Sequence, residues 1–122
     1  SVRNLKTGET AGYGRQFVAE KQSRIAVITI GYADGLPRCL SNGVGQVLVQ
    51  GKKVPIVGRI CMDQALVDIS ELEEDAVKTG DVVTLIGTDG NETLTAADMA
   101  EAAGTITNEI LSRLGSRLER YI

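Results

Sequence analysis

Residues 24–33 read Arg-Ile-Ala-Val-Ile-Thr-Ile-Gly-Tyr-Ala, a β-branched and almost unbroken apolar run. A run of this length without a polar face predicts a buried strand. Asp34-Gly35-Leu36-Pro37 closes it with turn chemistry. After a loop at 41–45, residues 46–50 and 53–58 each predict a strand, with Gly51-Lys52 between them as a tight hairpin. Pro55 has no amide hydrogen to give to a ladder, so the second of these strands is expected at an edge or at the start of a bulge. Residues 59–63 read as its continuation. Residues 64–69 alternate as a further strand, 71–78 are acidic and polar and read as a solvated loop or short helical turn, and 81–86 predict another strand ended by Gly87-Thr88-Asp89-Gly90. The first dozen residues carry no clear period.

The period then changes. Thr95 and Asp98 stand in capping-box spacing ahead of an alanine-rich stretch, which predicts a helix over 96–103. Thr105 is in place to cap a second helix running to about Leu114, with Gly115 as its stop. Residues 117–122 read as a final strand or a tail. Short strands followed by two short helices predict a mainly β fold: a small antiparallel β-barrel-like domain with two short C-terminal helices. The 122 residues make one domain, 1–122, large enough for a hydrophobic core.

Composition narrows the function. The formal net charge is −3, and three tyrosines and one phenylalanine are the only aromatics. Neither a basic face nor a stacking platform for bases is implied, so nucleic acid is not an expected partner. The apolar runs are far shorter than a membrane span, and no signal peptide opens the chain. Ser1, with no Met before it, reads as an artificial boundary. Cys39 and Cys61 have no metal-ligand spacing and read as reduced thiols; no metal is expected. There is no histidine. Acid–base chemistry near neutral pH must then use another residue type, or a residue from another domain or chain.

Three segments carry residues that suit chemistry. In Gly12-Tyr13-Gly14-Arg15 a tyrosine flanked by glycines has a backbone with little side-chain cover. Its phenol can act as a base only beside a cation or donor network, because a free tyrosine titrates near pH ~10. A turn tyrosine anchoring a loop is the simpler reading. Gly31-Tyr32-Ala33-Asp34-Gly35, with Arg38 beyond, follows the strongest strand, where loops commonly carry function, and also reads as an ordinary Asp-Gly turn. Gly58-Arg59-Ile60-Cys61-Met62-Asp63-Gln64 sets Arg59 and Asp63 in an apolar context. Backbone amides at such a strand break can bind a carboxylate, and an Arg59–Asp63 structural pair is the alternative. A hydrolase using Asp34 and Asp63 as paired carboxylates ranks low, because no spacing logic joins them. A non-catalytic small β-barrel binding module stands as the main alternative to an enzyme.

Together the Gly-Tyr-Gly segment, Gly-Tyr-Ala-Asp-Gly-Leu-Pro-Arg, Val-Pro-Ile-Val-Gly-Arg-Ile-Cys-Met-Asp-Gln and the late Gly-Thr-Ile-x-x-Glu resemble, in order, the carboxy-terminal domain of bacterial alanine racemases. The resemblance covers nearly the whole chain. It implies a preceding β/α barrel that holds pyridoxal phosphate through a lysine, and a head-to-tail homodimer in which this domain completes the active site on the partner's barrel. The isolated chain is then expected to be inactive, and the full protein to be an isomerase acting on a small amino acid. By the resemblance, Tyr13 is the catalytic tyrosine that exchanges the α-proton on one face of the substrate. The Met62 amide holds the substrate carboxylate. Tyr32, Arg38, Arg59 and Ile106 line the substrate entrance, and Asp63 has an electrostatic or structural role beside the carboxylate.

One position departs from the pattern. Asn108 stands where alanine racemases usually carry a tyrosine, opening space beside the substrate side chain and adding an amide. This resembles the serine racemases of vancomycin-resistance systems, which supply D-serine for altered cell-wall precursors. That branch implies a parent anchored in the bacterial membrane by a separate module, with this domain on the cytoplasmic side.

Overall fold

The computed structural model describes all residues except Tyr13, Arg15, Gln16 and Ile122. Among the described residues, ten short strands and two α-helices follow one another: β1 Val2–Leu5, β2 Thr10–Ala11, β3 Phe17–Val18, β4 Ser23–Ile28, β5 Gln46–Val49, β6 Lys52–Val57, β7 Ala65–Asp68, β8 Val83–Thr84, β9 Gly87–Asp89, β10 Glu92–Leu94, α1 Ala96–Ala103 and α2 Thr107–Ser112. Six strands form one antiparallel sheet in the order β1-β4-β7-β6-β5-β8, and β2–β3 and β9–β10 are separate hairpins. The sheet curls until β1 and β8 face each other across a small cleft of about 60 Å³ lined by Ser1, Val2 and Val83. The fold is the expected mainly β domain with two C-terminal helices.

The central strands are apolar without interruption because both of their faces are covered. Side chains alternate across a strand. Ala26, Ile28, Ile56 and Val67 point into the main core with Val47, Val49, Val54 and Ile69. Their neighbours Ile25, Val57 and Leu66 enter a second core with Leu5, Ala11 and Ala19, beneath the amino-terminal hairpin. Met99 and Ala103 of α1 close the main core at its edge.

Several elements differ from their sequence-based bounds, each for a local reason. The β5–β6 hairpin turns on Gln50-Gly51, one residue earlier than expected, and both residues have positive φ (51° and 74°), as a two-residue type I′ turn requires. Pro55 lies in an internal strand, not an edge. It is tolerated because pairing of β6 with β7 begins only at Ile56, so no ladder amide is missing at Pro55. Gly58, at φ 66°, ends β6, and residues 59–63 do not continue it. The apolar run at 24–33 is strand only as far as Ile28, because its end turns away to bond a loop described below. Residues 87–90 are half of a hairpin, β9–β10, with Gly90-Asn91 at its tip. The Gly51 amide donates to Asp89 Oδ2 (2.9 Å) and joins the two hairpin turns.

The helices show what capping decides. At α1, Thr95 Oγ1 accepts from the Asp98 amide (3.0 Å) and Asp98 Oδ2 accepts from the Thr95 amide (2.8 Å), the expected capping box. Gly104, at φ 74°, ends the helix in the left-handed conformation. At α2 the N-cap is Ile106, not Thr105, with no side-chain cap, and the helix stops at Ser112. Residues 117–121 form no strand; they turn back over the loops of the sheet.

Candidate active-site face

Three loops from distant parts of the sequence meet at one end of the sheet. After β4 the chain reaches Gly31, and a single turn of 3-10 helix, Tyr32–Asp34, follows. The Tyr32 and Ala33 amides donate to the Cys61 and Met62 carbonyls, both at 3.0 Å. Gly31 makes this contact possible through size. A Cβ there would lie 2.1 Å from the Cys61 carbonyl oxygen and 2.4 Å from that of Met62, although its φ of −145° is open to any residue. The 61–64 loop is closed on itself by the Cys61 amide donating to the Gln64 carbonyl (2.9 Å). Its start is tied down by buried Ser41, whose hydroxyl donates to the Arg38 carbonyl (2.5 Å) and accepts from the Ile60 amide (2.9 Å).

The third loop follows α2. The Gly115 amide donates to the Asp34 carbonyl (2.9 Å), and a Cβ on Gly115 would meet the Ala33 carbonyl at 2.8 Å. Two residues later Arg117 bridges both other loops, Nε to Asp34 Oδ1 at 2.9 Å and Nη1 to Asp63 Oδ1 at 2.7 Å. Asp34 is buried and its other oxygen accepts from the Gly31 amide (3.2 Å). These bonds, from Asp63 first and Asp34 second, raise the pKa of the Arg117 guanidinium and hold its charge. The partner of Asp63 is therefore Arg117 and not Arg59. Asp34 and Asp63 are brought together, but as acceptors shared by one guanidinium rather than as a free carboxylate pair.

The expected site residues divide between two clefts. Tyr32 and Arg38 line one of about 570 Å³ with Thr105, Glu109 and Arg113. Arg59 lines another, of about 420 Å³, with Gly12, Cys61 and Gln64. Met62 and Asp63 stand exposed between them, and among the described residues neither amide donates a hydrogen bond. Tyr13 lies outside the described residues; its neighbour Gly12 is on the rim of the Arg59 cleft. Ile106 and Asn108 are exposed at the start of α2, where Asn108 is the second helical residue. Within this chain, then, Tyr32 and Arg38 share one cleft, Arg59 lines the other, and Ile106 lines neither. Among the described residues no group of three or more potential metal ligands occurs, and no helix is long and apolar enough to cross a membrane.

Arg117 is the residue that sequence reasoning missed. From sequence, residues 117–122 show only a strand or a tail. The one available signal was the Asp-Gly turn at 34–35: an aspartate directly after a buried strand needs a donor or cation, and the tail supplies arginines.

The match to known proteins settles the family. The model of the alanine racemase C-terminal domain matches residues 1–122. The chain belongs to the alanine racemase C-terminal domain family. It is 52% identical over 117 residues to an amino-acid racemase of Enterococcus faecalis, covering 96% of this chain and 16% of that protein. It is 51% identical over 120 residues to the alanine racemase of Cutibacterium acnes, covering 98% and 31%. Among solved structures, alanine racemase from Bartonella henselae, which carries covalently bound pyridoxal phosphate, superposes with a TM-score of 0.89 at 40% identity, covering 98% of this chain and 32% of that one. The chain thus spans less than a third of these relatives, and the racemase C-terminal domain is one part of each. Their names are alanine and amino-acid racemases; the vancomycin-resistance branch is not carried by those names.

Proposed function

We propose that this domain is the carboxy-terminal part of a pyridoxal-phosphate-dependent racemase of small amino acids and completes an active site whose cofactor is held by another part of the protein. The carrying observation is the exposed 61–63 turn. Its Met62 and Asp63 amides are without acceptors among the described residues, and it stands beside the cleft on whose rim Gly12 precedes Tyr13. Amides presented in this way suit a substrate carboxylate.

The cofactor does not fit this chain alone. All five lysines, Lys6, Lys21, Lys52, Lys53 and Lys78, are exposed, and none lines the cleft of Arg59 or that of Tyr32 and Arg38. When bound, pyridoxal phosphate supplies an electron sink for charge at the α-carbon. What this chain adds is the Met62 amide to orient the carboxylate and Tyr13 to move the α-proton. The side chains of Tyr32, Met62, Ile106, Leu111 and Leu114 are more than a third exposed on or near this face, an apolar surface that suits cover by the barrel of a second copy in a head-to-tail homodimer.

Asn108 points the same reading toward serine. It is exposed at the start of α2 and makes no side-chain hydrogen bond among the described residues, so its amide is available to a hydroxymethyl group. One such bond is worth about 0.5–1.5 kcal/mol, up to roughly tenfold in rate. A membrane-anchored parent supplying D-serine follows from the same branch. The Enterococcus faecalis relative supports it in one respect: its chain is about twice as long as the alanine racemases, which leaves room for a further module.

The test is α-deuterium exchange by the full-length parent on both enantiomers of serine and alanine. Tyr13→Phe should slow abstraction from the L-isomer by about 10²–10⁴-fold and from the D-isomer much less. Equal loss in both directions assigns Tyr13 to binding instead. Asn108→Tyr should lower the serine-to-alanine ratio by up to about tenfold; an unchanged ratio removes the serine assignment.

A further inference from the structure

We propose that Arg117 is a positioning residue for substrate-carboxylate binding: by clamping Asp63 to the fixed carboxylate of Asp34, it holds the 61–63 turn, and the Met62 amide within it, in its binding geometry. The inference rests on the racemase reading above for the role of that amide.

The two ends of the clamp are unequal. Asp34 is an anchor. It is buried, its side chain accepts from the Gly31 amide, and its carbonyl accepts from the Gly115 amide. Asp63 is the free end. It is exposed, and Arg117 is its only side-chain partner among the described residues. A guanidinium is flat and rigid, so bonding one carboxylate through Nε and another through Nη1 fixes the distance between them. The backbone bonds from Tyr32 and Ala33 secure the carbonyl side of the turn. They leave the amide side, where Met62 and Asp63 point, to be fixed by the Asp63 side chain.

The clamp also has an electrostatic consequence. A bare Asp63 carboxylate beside the substrate carboxylate would repel it, whereas the guanidinium, shared with Asp34, offsets part of that charge. Because the Arg117 guanidinium stays charged, this partial offset persists through the neutral range. Exposed ion pairs add little to stability by themselves. Loss of the exposed Asp63 end should therefore appear in carboxylate binding far more than in the unfolding midpoint, whereas loss of Arg117 also leaves the buried Asp34 carboxylate without its cation and lowers the midpoint as well.

The experiment uses the full-length, cofactor-loaded parent and compares two probes, propionate, which keeps the substrate carboxylate, and alaninamide, which lacks its charge. Arg117→Met should weaken propionate binding and raise KM by about tenfold, with kcat changed less than about threefold and alaninamide affinity less than about twofold. Arg117→Lys, a point charge without the fork, should fall between Arg117→Met and the parent. Asp63→Asn should lower propionate affinity modestly, and in the Arg117→Met background it should restore part of the loss, since it removes the carboxylate that Arg117 no longer offsets. Propionate affinity within twofold of the parent in folded Arg117→Met overturns the proposal. So does an equal loss for alaninamide, which marks a general loosening. If Arg117→Met does not fold, Asp63→Asn carries the same comparison, because it touches only the exposed end. Propionate binding needs no turnover: a parent that binds it through this clamp yet exchanges no α-deuterium refutes the racemase reading and leaves the clamp standing.

Discussion

Val47, Ile56 and Val67 are sealed at the centre of the sheet, while Tyr32, Met62 and Asp63, from loops that adjoin the same strands, stand in solvent. The first region is held by apolar burial that is roughly indifferent to direction. The second is held by directed contacts: two backbone bonds at 3.0 Å, two glycines with no room for a Cβ, and one arginine shared by two carboxylates. Stability and site geometry therefore have separate physical origins, and it should be possible to damage either with the other left standing.

The largest break is in the sheet. Ile56 is fully buried in β6, between β7 and β5, with its side chain in the main core. Ile56→Ala removes packed methyl groups and leaves a cavity, at a cost of about 2–5 kcal/mol. The urea midpoint of this chain should fall accordingly. A change below about 1 kcal/mol would mean that the core collapses around the gap and is less rigid than its packing indicates.

Gly31→Ala should break the junction instead. The new Cβ would sit 2.1 Å from a backbone oxygen, so the 61–64 loop must move away. Overpacking of this kind costs about 1–3 kcal/mol. The sharper readout is local: hydrogen exchange should lose protection at the Tyr32 and Ala33 amides and keep it at β5 and β6. Retained protection at Tyr32 and Ala33 would show that the two regions are not separable in this way.

The same division explains what could be read from the sequence. The strand centred on Ile25–Ile28, the β5–β6 pair and α1 with its Thr95–Asp98 box were all legible, because periodicity and capping are local. The end of the apolar run was not: Thr29, Ile30 and Gly31 look like strand until the 61–64 loop claims the Tyr32 and Ala33 amides. Thr105 looked like the cap of α2, yet the helix begins one residue later with none. Of the candidate site, Tyr32, Arg38 and Arg59 could be named, but their division between two clefts depends on pairings tens of residues apart. Arg117 had no local mark at all, since its partners stand 83 and 54 positions away.

The smallest effect sharpens the comparison from a third place, the start of α1. Thr95→Ala removes one acceptor for an orphan amide and should cost about 1 kcal/mol, seen as a modest drop in the thermal midpoint with carboxylate binding untouched. Its partner Asp98 adds a pH signature. Hydrogen bonds from the Thr95 backbone amide first, and the Thr95 side chain second, lower the Asp98 pKa from its ordinary 3.8. A lowered carboxylate pKa favours the folded state at pH values above 3.8, and that contribution fades as pH falls through the lowered value. Asp98→Asn should therefore lower the midpoint at neutral pH and flatten its decline on the acid side of 3.8. Because α1 packs on the main core through Met99 and Ala103, and among the described residues none of its residues hydrogen-bonds the 61–64 loop, the Tyr32 and Ala33 amides should keep their protection in both variants. Lost protection there would mean that the helix cap is coupled to the site, and that the boundary between the two regions runs through α1.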